Sequence, residues 1–289
     1  MSSNRFDLLR LLFSMGIFVY HAWVLAAVAP FGGVEVALGT LGLLLIEGFF
    51  IISGALVYGS LLRSRSMNVY AVKRIRRVYP AYLVVILVPT AVSLVLTGGE
   101  ALAGIGKYLA ANLVFLNFLA PDLPGLFEGQ RFEEVNGPLW TLKVEVMFYI
   151  VLPVIGFVMS RMGRTSWILL VLFYAGGEAW RLLIPQLFDH PYAPEVARQL
   201  PGQMAFFASG MALWTVWDVA KARPWLFGLA GAVLLAVSFA HPLLEPTRAA
   251  GLAGLIAWAA FVPGPALDVA RFGDFSYGLY ITHFPIIQA

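Results

Sequence analysis

Residues 6–29 read FDLLRLLFSMGIFVYHAWVLAAVA, and two of the polar side chains in this apolar run, Arg10 and His21, stand eleven positions apart. In an α-helix that spacing is about 16 Å of rise and three turns, so both lie on roughly one face at different depths. The run is long enough to cross a bilayer, with Arg10 near one surface and His21 deep in the hydrocarbon. An ionisable group there costs on the order of a few kcal/mol. His21 is therefore either a functional group or a histidine satisfied by packing against a neighbouring helix, and the run alone leaves both readings open.

The rest of the chain extends this reading. Of 289 residues, 60% are hydrophobic and 12% charged, with a mean hydropathy of +0.83, well outside the soluble range. Apolar runs of about twenty residues recur along the whole length, as a polytopic helical membrane protein requires. The short alternating segments of an outer-membrane barrel do not occur. A net charge of +3 is too small, and too concentrated in one segment, for a nucleic-acid partner. Without cysteine there is no disulfide or thiol chemistry, and the four histidines, at 21, 190, 241 and 283, form no metal-ligand motif. Ala27-Val28-Ala29 resembles a signal cleavage site, but the run is long for a signal peptide and further spans follow, so an uncleaved span is expected.

Spans are predicted near residues 8–29, 38–62, 78–97, 140–160, 166–185, 203–218, 225–241, 249–263 and 274–289, within a single transmembrane domain, 1–289. A tenth piece, Tyr108–Leu119, is too short to cross a core of about 30 Å. The basic residues decide its treatment. Arg63, Arg65, Lys73, Arg74, Arg76 and Arg77 fall between spans two and three, which puts that loop and the N-terminus in the cytoplasm. If Tyr108–Leu119 does not cross, Arg161, Arg164, Lys221, Arg223 and Arg271 also fall inside, and the acidic loop of Asp122, Glu128, Glu133 and Glu134 falls outside. The expected fold is thus an all-α polytopic bundle of about nine spans, with residues 98–139 as an external excursion holding one re-entrant or interfacial segment. The last run ends at Ala289, about 24 Å after Asp274 and without a flanking anchor, as if a final helix were missing.

Several runs carry chemistry. Span two holds an intramembrane carboxylate, Glu47, and a small pair, Ser53-Gly54, that permits close helix approach. The loop Val72–Pro80 is the densest charge in the chain: either a topology anchor or, since arginine forks match phosphate geometry, a site for a phosphorylated ligand. If this segment is helical, Arg74 and Arg77 face one way and Arg76 another. In span four, Trp140 and Lys143 suit the outer interface, and Glu145 lies further in with Tyr149 at i+4 on its face. Glu178 and Arg181, at i, i+3, are expected to pair structurally. The last run puts Ser276, Tyr280 and His283 near one face, while His190 and His241 belong to external loops.

Together and in order these pieces resemble acyltransferase family 3 of integral membrane proteins. The matching motifs are Asp7-x-x-Arg10 ten residues before His21, Glu47-x-Phe49-Phe50-x-x-Ser53-Gly54, and Arg74-x-x-Arg77-x-x-Pro80. They continue as Leu139-Trp140-Thr141-Leu142-x-x-Glu145-x-x-Phe148-Tyr149 and Ser276-Tyr277-Gly278-x-Tyr280-x-x-His283-x-Pro285, so the resemblance covers the whole chain. It implies about ten spans and transfer of an acyl group, usually acetyl, from cytoplasmic acyl-CoA to a hydroxyl of an extracytoplasmic or lipid-linked glycan. Two departures stand out: the family's helix after the His283 motif is lacking, and Glu47 occupies a position where members often carry Asp or an apolar residue.

Under that resemblance His21 is expected to be the catalytic base or a transient acyl carrier, with Glu145 orienting it or sharing its proton. Arg74 and Arg77, with Arg76 and Arg10, are expected to hold the phosphates of the donor. Glu47, Ser53, Trp140, Tyr149, Ser276, Tyr280 and His283 are expected on the acceptor side or in support. No permanently bound cofactor is expected, acetyl-CoA or another acyl-CoA being the co-substrate. The expected partners are the lipid bilayer, a glycan acceptor and envelope polysaccharide assembly proteins, in a bacterial inner membrane. The alternative from another class is a proton-coupled transporter or flippase whose buried His and Glu residues relay protons.

Overall fold

A computed structural model describes residues 5–26, 32–265, 269 and 275–289, and among these the regular structure is helical, without a strand. The α-helices are α1 (Phe6–Leu25), α2 (Gly33–Leu62), α3 (Met67–Leu96), α4 (Leu102–Asn112), α5 (Leu139–Met162) and α6 (Ser166–Leu187). They continue as α7 (Ala193–Ala197), α8 (Leu200–Thr215), α9 (Trp217–Ala222), α10 (Pro224–Ser238), α11 (Arg248–Phe261) and α12 (Phe275–Gln288). The readings made above for Ala27–Ala29, Arg271 and Asp274 lie outside the described residues.

The nine apolar runs coincide with α1, α2, α3, α5, α6, α8, α10, α11 and α12, so the all-α class holds. By length and composition, four stretches are apolar and long enough to cross a membrane: Phe6–Leu25, Gly33–Leu62, Met67–Leu96 and Leu139–Leu187. Helices α8, α11 and α12, with 16, 14 and 14 residues, rise only about 21–24 Å.

One local reading needs correction. The basic stretch Val72–Pro80 is not a loop; it lies inside α3, and only residues 63–66 connect α2 to it. The reason is a helical stripe: Tyr70, Arg74, Arg77 and Val78, at i, i+4, i+7 and i+8, are the covered positions, whereas Lys73 and Arg76 are exposed. Tyr108–Leu119, the piece too short to cross, is helical as far as Asn112 and has a 3₁₀ turn at Asn117–Leu119. It breaks after Asn112, where Phe115 takes a φ of 63° and stacks its ring on Tyr82 at 4.3 Å. The break is held by polar pairs: the Tyr82 hydroxyl donates to the Asn112 carbonyl at 2.6 Å, and Asn117 Nδ2 donates to that hydroxyl at 2.9 Å.

The chain divides into two compact units. The first comprises Met1–Phe13, Leu44–Tyr70 and Val144–Gly273. Its helices meet through glycine: a Cβ on Gly54 of α2 would stand 2.3 Å from the Phe207 carbonyl oxygen, and one on Gly210 of α8 only 2.0 Å from that of Ile51. The Ser53-Gly54 pair thus does what small residues do between apolar helices, letting backbones touch. Gly231, Gly251 and Gly254 do the same where α10 crosses α11. The second unit comprises Ser14–Leu43, Ala71–Lys143 and Asp274–Ala289. In it α12 is tied by its backbone: Ser14 Oγ donates to the Ser276 carbonyl at 2.8 Å, Tyr277 to that of Val78 at 2.9 Å, and Asn136 Nδ2 to that of Ile281 at 2.7 Å.

Candidate functional site

Those ties fix the depth and rotation of α12, and with them His283. The Tyr280 hydroxyl, 2.6 Å from Thr141 Oγ1, adds a further anchor one turn before it. His283 is only 2% exposed and stands against His21 of α1, with Nε2 of His283 2.9 Å from Nδ1 of His21 and ring centroids 4.9 Å apart. The phenyl ring of Phe284 stands edge-on to His21 at 5.3 Å.

The hydrogen-bond pattern sets the tautomers. His283 Nδ1 lies 3.1 Å from the carbonyl oxygen of Leu279, one helical turn back. A carbonyl only accepts, so Nδ1 of His283 carries the proton and, in the neutral ring, Nε2 is bare. That bare nitrogen accepts from Nδ1–H of His21, which leaves Nε2 of a neutral His21 as an unprotonated lone pair. Of the two rings His21 is also the less buried. The arrangement is a base whose free nitrogen is selected by its partner, the partner itself being selected by the main chain.

The other sequence-predicted residues fall in several places. Glu145 belongs to the first unit, where its Oε1 accepts from Ser53 Oγ at 3.0 Å and from the Tyr149 hydroxyl. The i+4 pairing of Glu145 with Tyr149 is thus a hydrogen bond, and Ser53 is its second donor. The residue hydrogen-bonded to His21 is His283. Ser276 and Tyr280 are buried with His283 on α12. Trp140 is half-buried at the start of α5, and Lys143 lies over the Phe118 ring at 4.5 Å. Arg10 stands 3.7 Å from Asp7, and Arg74 and Arg77 are half-buried along one stripe of α3 with Arg76 on another face. His190 and His241 accept from the backbone N–H groups of Tyr192 and Leu243, both at 3.2 Å, and are loop caps.

Glu47 enters a different structure, a buried ionic cluster in the first unit. Arg248 Nη2 lies 3.0 Å from Glu47 and 2.8 Å from Glu245. Arg181 Nη1 lies 2.7 Å from Glu245 and 4.0 Å from Glu47, and its Nη2 pairs with Glu178. The expected Glu178–Arg181 pair is therefore present, but as one edge of a five-residue network joining α2, α6, α11 and the turn before α11. Sequence reasoning missed Arg248 and Glu245. A signal existed: Glu245-x-x-Arg248 repeats the i, i+3 spacing of Glu178-x-x-Arg181 at the start of an apolar helix. It also missed Asn136 and Thr141, whose partners on α12 are far away in the chain.

Long apolar helices make this an integral membrane protein, and an imidazole held in one tautomer is equipment for group transfer with proton removal. The family follows from the sequence match: residues 3–289 fit the acyltransferase domain of acyltransferase family 3, and the chain belongs to that family. Nodulation protein 10 of Rhizobium leguminosarum bv. viciae is 29% identical over 99% of this chain and 83% of its own length. An O-acetyl transferase of Shigella phage Sf6 is 28% identical over 99% of this chain and 85% of its own length. No solved structure matches the chain. Family and relatives support an O-acyltransferase, an enzyme moving an acyl group from a donor co-substrate to a hydroxyl.

Proposed function

We propose that this protein transfers an acyl group, acetyl in the first instance, from a cytoplasmic acyl-CoA to a hydroxyl of an extracytoplasmic or lipid-linked glycan, with His21 as the general base. The observation that carries the reading is the His21–His283 contact at 2.9 Å, with His283 in turn on the Leu279 carbonyl. In the reaction, Nε2 of His21 takes the acceptor hydroxyl proton as the oxygen attacks the thioester carbonyl. The C–S bond then breaks, and the departing thiolate receives the proton back from Nε2. His283 spreads the transient positive charge by accepting from Nδ1–H throughout. Glu145, held by hydrogen bonds from Ser53 and Tyr149, is proposed as a second catalytic group.

The donor's phosphates are assigned to Arg74 and Arg77, supported by their common stripe on α3, with Arg76 and Arg10 assisting. The charge distribution supports a cytoplasmic N-terminus in a bacterial inner membrane. The glycan arrives from the opposite side, in concert with envelope polysaccharide assembly proteins.

Purified protein in lipid nanodiscs, given radiolabelled acetyl-CoA and acceptor glycan, tests the reading. His21→Ala is expected to cut transfer by roughly 10²–10⁴-fold while acetyl-CoA still binds; full turnover by this variant would remove His21 as the base. Arg74→Ala with Arg77→Ala is expected to weaken donor binding by roughly tenfold or more, from the loss of charge-assisted hydrogen bonds. Unchanged acetyl-CoA affinity in calorimetry would overturn the phosphate assignment.

A further inference from the structure

The first unit contains a crevice of about 640 Å³ between α6, α8, α10 and α11, lined almost wholly by apolar side chains. It belongs to neither cluster described above. Its residues cover nine positions, or eight helical steps, along each of α6, α8 with its C-cap, and α10: Trp167 to Ala175, Ala208 to Val216 and Leu226 to Leu234. That is about 12 Å of helical rise, against about 15 Å for the hydrocarbon depth of one leaflet. The volume lies within the usual range for a small-molecule site, roughly 300–1,000 Å³.

The two ends differ in chemistry. At one end stand Trp167, Thr215 and Leu226, and here the chain is basic: Arg164 precedes Trp167 by one turn, and Arg223 precedes Leu226 by one turn. Both arginines are exposed. Trp167 at the start of α6 and Trp225 at the start of α10 are 60% and 64% exposed, as suits residues at the membrane interface. At the other end Tyr174 closes the crevice, its hydroxyl donating to the Pro246 carbonyl and accepting from Ala250 N–H at 3.2 Å. The crevice therefore opens at headgroup level under positive charge and stops, with its polar groups satisfied, about one leaflet deep.

We infer that this crevice is a binding site for one acyl chain of an anionic glycerophospholipid of the surrounding bilayer, with Arg164 and Arg223 receiving the phosphate-bearing headgroup. The inference rests on charge complementarity at the mouth and on the match of depth to a leaflet. It is independent of the catalytic role of His21. A zwitterionic lipid fills the apolar part equally well but lacks the net charge that two arginines select, each worth roughly fivefold near the surface.

Electron paramagnetic resonance of chain-labelled lipids in vesicles holding the purified protein tests this. Spin-labelled phosphatidylglycerol is expected to show an immobilised component preferred over spin-labelled phosphatidylcholine by roughly tenfold or more. Arg164→Gln with Arg223→Gln, both exposed sites, is expected to level the two lipids. Ala230→Trp, which fills the crevice, is expected to reduce the immobilised component for both. No headgroup preference in the unmodified protein, a preference that survives the double arginine change, or an immobilised component undiminished by Ala230→Trp overturns the inference. Displacement of the label by a polyprenyl phosphate at lower concentration than by phosphatidylglycerol also overturns it, in favour of a carrier lipid.

Discussion

The ionic cluster of the first unit and the histidine pair of the second are built on opposite principles. The cluster in the first unit sets three carboxylates, Glu47, Glu178 and Glu245, against two guanidiniums, Arg181 and Arg248, and interlocks four elements by shared ion pairs. The pair in the second unit sets one imidazole against another and ends on a main-chain carbonyl, so the pattern closes with one nitrogen over. Both would be flagged alike as polar groups in an apolar environment. What separates them is charge: the first cluster is held by shared ion pairs, whereas the second joins two neutral rings and keeps the lone pair of His21 Nε2. Charges that answer each other act as a cross-link; a chain of neutral donors and acceptors that stops one short offers a lone pair to a substrate.

The sharpest way to break this contrast is at Glu47. Glu47→Ala strands Arg248 among apolar helices, and removing one partner of a buried ion pair costs about 3–5 kcal/mol. Thermal unfolding in detergent should therefore show a large loss of stability for Glu47→Ala or Arg248→Ala, and retained folding with selective loss of turnover would instead place Glu47 with the catalytic groups. Next in size is His283. His283→Leu should lower kcat by about a hundredfold with little change in KM, because the neutral acceptor facing Nδ1 of His21 is lost. His283→Gln, whose amide oxygen still accepts from Nδ1–H, should recover much of that loss. Equal damage from both variants would reduce His283 to packing. The smallest effect is expected at the helix contact: Gly54→Ala forces α2 from the Phe207 carbonyl, a strain of about 1–3 kcal/mol, read as lower stability with kcat per folded molecule unchanged.

Much of the fold was legible because the bilayer imposes a length and a polarity that composition cannot disguise. Nine runs became nine helices for that reason. The reading failed where one helix carries both chemistries: α3 begins eleven residues before the predicted third span because Tyr70, Arg74, Arg77 and Val78 form a stripe within a strongly basic segment. A search for uninterrupted apolar runs stops at the first arginine, although the helix does not. Among the candidate residues, His21, His283, Glu145, Tyr149 and Ser53 were each visible as polar residues in apolar runs. Pairings between neighbours in the chain, such as Glu145 with Tyr149, followed from helical periodicity. The pairing of His21 with His283, separated by 262 positions, did not, since one sequence holds no distance between its ends. The same holds for Glu47 and Arg248.

The Leu279 carbonyl has a consequence for how such a protein varies. The proton arrangement of the dyad is dictated by an atom that every amino acid possesses, so the side chain at 279 is free to drift while the instruction it carries is inherited unchanged. The information resides in the helix itself. No ordinary substitution at that position erases it; an amide-to-ester replacement of the Leu279–Tyr280 linkage, which weakens that one acceptor, would edit it directly.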